Sequence, residues 1–370
     1  MKEYTKFIIL VLFFGVIFIL PVESPVLLDT IRAGLLLLQE YVRYHTLTCL
    51  VPAFFIAGGI TVFLRKESIY KLLGHSAKKY ISYSIASTSG AILTACSCTI
   101  LPLFAGIYQS GAGLGPAVAF LFTGPAINVT AIFLTAKILG WEISIIRIIA
   151  SFVIAIIIGY IMTSIFRKEE IKRSESIWDI DRGEGYKAIV VFSFFISLIL
   201  ILIVYSLKIP MYVKYIITGI SLIVLVYIIF FRFDREDNEN WIMQTWDFTK
   251  KILPLLFIGV FIAGILSVVV PENIVTKLVG GNTVYGNLIA SVFGAFMYFA
   301  TLTEIPIIQK LMGLGMGKGP ALALFLAGYT LSFPNMIALI KIMGKNKAFT
   351  YFILVVLFST TAGFVYGNFF

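Results

Sequence analysis

Long apolar runs alternate with short polar interruptions along the whole chain, and the spacing of the interruptions sets the elements. Apolar segments fall at 7–20, 44–64, 81–108, 117–139, 143–166, 187–207, 212–231, 248–270, 284–309, 320–343 and 349–369. Most approach the roughly 20 residues that a helix needs to cross a hydrocarbon core of about 30 Å. Segment 26–43 (VLLDTIRAGLLLLQEYVR) carries Asp29, Arg32, Glu40 and Arg43 and reads as an interfacial helix leading into the second span. The longest polar stretches are 167–187 and 232–251, and the first divides the chain into halves.

The halves resemble each other. Ser89-Gly90 to Pro102 lines up with Phe293-Gly294 to Pro306 at a constant offset of 204. The same offset carries G-A-G-L-G-P-A (111–117) onto G-M-G-K-G-P-A (315–321), and Gly124 onto Gly328. Glycine and proline recurring in register indicate an internal duplication.

Composition fixes the class. At 59% hydrophobic and 13% charged residues, the chain has far more apolar surface than a soluble core absorbs. Its net charge of +10 does not call for nucleic acid, because Lys and Arg crowd the cytoplasmic loops of membrane proteins. Three cysteines do not make a disulfide framework. The N-terminus, MKEYTKFIILVLFFGVIFILP, starts like a signal peptide but lacks a small-x-small cleavage site, so it reads as a retained first helix.

Charge also bears on topology. If all eleven segments cross, Lys and Arg divide evenly between the two sides. If 117–139 and 320–343 each dip in and return, 22 of the 29 fall on the side of the N-terminus. These two segments are interrupted by T-G-P (123–125) and S-F-P-N (332–335), and proline breaks helices. The expected fold is therefore an all-α polytopic membrane protein with two inverted repeats, about nine spanning helices and two re-entrant, broken helical hairpins. Its parts are an N-terminal helix and interfacial segment (1–43), repeat 1 (44–166), a cytoplasmic linker (167–186), two connecting spans (187–231), a cytoplasmic loop (232–247) and repeat 2 (248–370). The N-terminus is expected in the cytoplasm and the C-terminus outside, in a multi-pass cell-membrane protein.

Non-helical backbone at membrane depth must be packed in protein or line a cavity, so the breaks become the candidate site. Thr123, Gly124, Pro125 and Asn128 mark the first break; Tyr329, Thr330, Ser332, Pro334 and Asn335 mark the second. Helix N-termini there favour an anion or a polar neutral molecule, and each Asn serves equally well as a plain helix cap. Spans 81–108 and 284–309 are broken at Pro102 and Pro306, beside C-S-C-T-I-L-P in one and T-L-T-E-I-P in the other. Glu304 lies inside apolar sequence, where a carboxylate usually marks an ion or proton pathway, although a structural hydrogen bond near Pro306 would also account for it. Cys96 and Cys98 would suit a soft partner such as Cu(I), Zn(II) or trivalent arsenic; equally, they and Ser97 would suit close helix packing. Cys49 reads as packing.

Taken together, C-S-C-T-I-L-P-L-F-A-G-I-Y-Q-S-G-A-G-L-G-P-A with F-L-F-T-G-P-A-I-N, and T-E-I-P-I-I-Q-K-L-M-G-L-G-M-G-K-G-P-A with S-F-P-N, resemble the predicted-permease family that includes the organoarsenical efflux permeases. The resemblance runs from about residue 45 to the end. It implies an inner-membrane permease and, in the arsenical branch, export of trivalent organoarsenicals driven by an ion gradient. The family's Cys-Ser-Cys element falls on Cys96, Ser97 and Cys98, its Gly-Pro-x-x-Asn on Gly124, Pro125 and Asn128, and its Glu-Ile-Pro on Glu304, Ile305 and Pro306.

Rival classes are weaker. G-L-G-M-G-K-G (313–319) does not match a nucleotide-binding loop, so no energy-coupling cassette is visible. The two histidines, His45 and His75, have no acidic pair nearby for an integral-membrane enzyme. A soft-metal or anion channel, and a membrane scaffold subunit, remain as alternatives. The expectation is a secondary permease exporting a small polar or soft-centred solute, with Glu304 as the coupling group, a proton or ion as coupling partner, no cofactor and no resident metal. A lipid bilayer is the implied environment, nucleic acid is not a partner, and an oligomer is compatible with the sequence.

Overall fold

The structure is a computed structural model, and it describes residues 25–64, 72–74, 77–93, 97–127, 129–178, 186–206, 210–269, 278–297 and 304–369. Segment 7–20 lies outside these residues. The described elements are helical, with one isolated bridge between Gly280 and Met316.

Helix α1 (Pro25–Tyr41) runs through a π-helical stretch, Val42–Leu50, directly into α2 (Val51–Phe63). Pro52 has no N–H to give the preceding turn, which is where the helix widens. Residues 26–43 thus continue without a break into the following helix. Two further helices follow, α3 (Lys79–Leu93) and α4 (Ser97–Gln109). Then come α5 (Leu114–Ala126), α6 (Val129–Leu139) and the unbroken α7 (Trp141–Ile165). A polar helix, α8 (Arg167–Trp178), leads to α9 (Ala188–Ser206), α10 (Met211–Phe231) and α11 (Arg235–Val269). The second half closes with α12 (Val284–Phe296), α13 (Glu304–Gly313), α14 (Lys318–Gly328), α15 (Phe333–Met343) and α16 (Lys345–Phe369).

Four described helices are long and apolar enough to cross a bilayer, and the bent pairs α5–α6 and α14–α15 raise the number to six. Their outward faces are apolar too: on α10, Tyr212, Ile216, Ile220, Ile223 and Phe230 are all exposed. Such a surface needs lipid around it. The rod α1–α2 packs antiparallel on α11: Gly34 lies against Phe261, and the Trp241 indole N–H donates to the Phe55 carbonyl at 2.9 Å.

Glycines 204 residues apart make matching contacts. Gly115 meets the backbone of Gly159, and 204 residues later Gly319 meets that of Gly363. Gly90 presses on the α5 backbone at Phe120 and Gly124, and Gly294 presses on α14 at Leu324 and Gly328. Gly111 and Gly315, with φ of +103° and +107°, make the same left-handed turn into α5 and α14. These contacts explain why the repeat is spelled in glycine.

Segments 117–139 and 320–343, expected to dip in and return, are each a bent pair of helices. Helices α5 and α6 meet at a bend of 50°, and α14 and α15 at 44°. The single helix α7 runs antiparallel past both pieces of the first pair: Ser144 Oγ bonds the Ile132 carbonyl at 2.9 Å, and Gly159 touches Gly115. One proline removes one hydrogen bond and kinks a rod; it does not reverse it. The reversals occur one element earlier. Tyr83 on α3 bonds Thr163 at 2.9 Å, and Tyr108 on α4 bonds Glu170 at 2.8 Å, so α3 leaves and α4 returns at the same end of the bundle. Likewise α12 starts and α13 finishes at one end, where Gly317 N–H bonds the Val279 carbonyl at 3.2 Å. These two helix pairs, α3–α4 and α12–α13, are the first and second hairpins, and they are described on either side of residues 94–96 and 298–303.

Polar contacts mark the two ends. At one, Glu170 on α8 is 3% exposed. It accepts from Tyr108 Oη and Lys347 Nζ, both at 2.8 Å, from Arg173 Nη2 at 2.9 Å, and from the Leu114 N–H at 3.2 Å. Arg173 also donates to the Tyr108 and Ala112 carbonyls and stacks on the Tyr108 ring, 3.9 Å from its centroid. This cluster ties the first hairpin, the start of α5 and the start of α16 together. At the other end, Glu142 accepts from Tyr366 at 2.7 Å and pairs with Lys318 at 3.3 Å. Helix α7 runs from the second cluster to the first, and α16 runs the opposite way.

Candidate substrate site at the helix breaks

Where the halves meet, helix α4 of the first hairpin touches α15, and helix α13 of the second hairpin touches α6. Each hairpin therefore packs its returning arm on the far half of the other repeat's bent rod. The expected site residues sort onto these two contacts. Helix α4 begins at Ser97, in the cysteine element, and faces the helix that opens with Pro334 and Asn335; helix α13 begins at Glu304 and faces the helix that follows Asn128. Cys96 and Asn128 lie outside the described residues, as do the side chains of Ser97 and Cys98, so the thiols have no described surroundings. Thr301 and Leu302 also lie outside them.

At the first break, Thr123 is fully buried and bonds back to the Ala119 carbonyl at 2.9 Å, while Gly90 packs against it. Gly124 and Pro125 are buried within α5, and Pro102 lies inside α4. At the second break, the Ser332 hydroxyl accepts the Asn335 N–H at 3.4 Å as a helix cap. Thr330 bonds the Leu326 carbonyl at 2.6 Å, and Pro334 packs on Gly259 of α11. Asn335 is 4% exposed. Pro306 sits in the first turn of α13, just after Glu304.

Glu304 is fully buried, and neither carboxylate oxygen has a hydrogen-bond partner among the described residues. The nearby charge that acts on it is Arg147 of α7, a residue that loop counting had placed among the surface cations. Arg147 is also fully buried. Its Nη1 donates to Thr135 Oγ1 at 2.9 Å, and its guanidinium lies 4.9 Å from the Phe325 ring centroid and 4.8 Å from that of Tyr329. The Tyr329 hydroxyl is held by Ser151 at 2.9 Å, and Ser151 bonds the Arg147 carbonyl at 2.6 Å. Tyr351, the counterpart of Arg147 at the repeat offset, is buried with an unpartnered hydroxyl. The sequence signal for Arg147 was there: I-S-I-I-R-I-I-A places a cation inside an apolar run, as T-E-I-P places an acid.

No group of three or more His, Cys, Asp or Glu side chains that could hold a metal occurs among the described residues. A cavity of about 280 Å³ lies near the Glu170 end, lined in part by Tyr83, Thr163 and Arg167. It is remote in the fold from Glu304 and belongs to the end cluster.

Comparison with known proteins agrees with this architecture. The model of a family described as "Predicted permease" matches residues 32–368. UPF0718 protein MJ0584 of Methanocaldococcus jannaschii is 43% identical over 340 residues, 89% of this chain and 93% of the relative. UPF0718 protein YraQ of Escherichia coli is 22% identical over 283 residues, 76% of this chain and 66% of the relative. No solved structure matches. A multi-pass helical bundle with a buried acid and a buried arginine fits membrane transport better than enzymatic chemistry, and by this match the chain belongs to the predicted-permease family.

Proposed function

We propose that the protein is a gradient-driven secondary permease that exports a small polar or soft-centred solute, with trivalent organoarsenicals as the first candidates. Alternating access would run through the contacts α4–α15 and α13–α6. The observation that carries this reading is Glu304: a fully buried acid with unpartnered oxygens, at the start of a hairpin arm and within the field of Arg147. Buried ionisable groups in membrane segments are costly and mark ion pathways.

The reversed hairpins support inverted repeats by a different route from the one expected. If α3–α4 and α12–α13 enter from opposite leaflets, the pseudo-symmetry supplies the two faces that alternate. With the N-terminus in the cytoplasm, the Glu170 cluster faces inward and the C-terminus outward. Relative to the earlier tally, only Lys310 and Lys318 change sides, so the charge bias survives. In this reading Glu304 carries the coupling proton, Ser332 and Asn335 line the substrate path, and Cys96 or Cys98 binds the soft centre.

The test is uptake of methylarsenite into everted vesicles at two pH values for wild type, Cys96→Ser/Cys98→Ser and Glu304→Gln. Uptake is expected to depend on pH in wild type, to lose that dependence in Glu304→Gln and to fall at least tenfold in the double cysteine variant. Undiminished uptake in the cysteine variant removes the thiol role, and pH-independent uptake in wild type removes proton coupling.

A further inference from the structure

Arg147 is held in one orientation from three sides. Thr135 fixes Nη1 at 2.9 Å, and Thr135 is itself anchored to the Ala131 carbonyl at 2.7 Å. Phe325 and Tyr329 pack on the guanidinium, and the Tyr329 hydroxyl is pinned by Ser151. What these contacts leave over is specific: Nε and Nη2 are buried and have no hydrogen-bond partner among the described residues.

Those two nitrogens are the side-on edge of the guanidinium, the pair of parallel N–H donors that matches two oxygens of one oxyanion. An unsatisfied buried donor costs about 1–3 kcal/mol, and more when charged. Glu304 acts on Arg147 electrostatically, yet its two oxygens also have no hydrogen-bond partner among the described residues. A buried acid and a buried base thus influence each other here without a hydrogen bond between them. The other titratable groups facing this place are Tyr329, which feels both charges, and Tyr351, which faces Tyr329.

We propose that the Nε–Nη2 edge of Arg147 anchors an oxyanion group of the transported solute, either a planar carboxylate or a tetrahedral oxyanion on a small molecule. This rests on the permease reading and names the substrate class of its site. Glu304 stands as the opposing charge, so the anion is accepted when Glu304 is neutral and expelled when it is ionised.

The experiment measures thermal stabilisation of the purified full-length chain in detergent by acetate, methylphosphonate and, as a spherical control, chloride. At least one of the two oxyanions is expected to stabilise wild type where chloride does not. Arg147→Lys keeps the charge but loses the fork, and is expected to weaken that binding at least tenfold. Glu304→Gln removes the opposing charge and is expected to tighten it at least fivefold at neutral pH. No stabilisation by either oxyanion, or wild-type binding by Arg147→Lys, overturns the proposal. Should the Arg147 variants not fold, unchanged or weaker binding in Glu304→Gln overturns it. Oxyanion binding without uptake into vesicles would sink the permease reading and leave the site; uptake indifferent to Arg147 would do the reverse.

Discussion

Replacing Glu170 with alanine would remove the one acceptor that joins the first hairpin, the start of α5 and the second half of the chain. The side chain accepts five hydrogen bonds, three of them from the cations Lys347 and Arg173. Breaking one partner of a buried ion pair costs about 3–5 kcal/mol, because the remaining charge is left without compensation. The Lys347 and Arg173 side chains retain 10% and 22% of their exposure, so they keep some water and the lower figure, about 3 kcal/mol, applies. At about 2 °C per kcal/mol for a large chain, the midpoint of thermal denaturation in detergent, read by circular dichroism, should fall by roughly 6 °C. A cycle with Lys347→Met should show coupling above about 1 kcal/mol. Burial alone would push the Glu170 carboxyl up, but Arg173, Lys347 and Tyr108 outweigh it and hold it below its ordinary 4.5. Its stabilisation is therefore fully present above pH 4.5 and lost as the pH falls through the lower folded value. The gap between wild type and Glu170→Gln should stay constant from pH 8 to 5 and close only in stronger acid. A midpoint within 1 °C of wild type for Glu170→Ala, or additive single variants, would refute the reasoning.

Other outcomes follow from the same geometry. In a chain cleared of its native cysteines, Lys78→Cys and Gln109→Cys should react with an impermeant thiol reagent from one side of the membrane and Trp141→Cys from the other; labelling of residues 109 and 141 from the same side would restore the hairpin at 117–139. Gly115→Val should prevent stable folding, since a side chain there would enter the Gly159 backbone and the Tyr83–Thr163 bond, while the exposed Gly313→Val should express normally. Ser332→Ala removes the cap of α15 and should lower stability by about 1 kcal/mol in a denaturation assay without abolishing uptake, unless the hydroxyl also contacts the solute.

The sequence by itself determined that this is a helical membrane protein with glycines and prolines recurring at one offset. Those properties reside in composition and in glycines and prolines at a fixed spacing, which survive as the contacts Gly115–Gly159 and Gly319–Gly363. Glu304 was legible for the same reason: one acid in an apolar run has no bland surroundings. What pattern could not decide is which break bends and which reverses, because T-G-P and C-S-C-T-I-L-P both read as interruptions of helix. The difference lies in distant partners. Helix α7 contacts both α5 and α6, whereas Thr163 and Glu170 gather Tyr83 and Tyr108, and with them the outer ends of α3 and α4, to one end of the bundle. Arg147 changed meaning in the same way. A cation near a segment boundary counts as a loop charge until Thr135 of α6 and Phe325 and Tyr329 at the end of α14 enclose it. Local sequence sets where the backbone can leave a helix, but only the packing of remote segments decides where it then goes, because that choice is made by contacts between residues far apart in the chain.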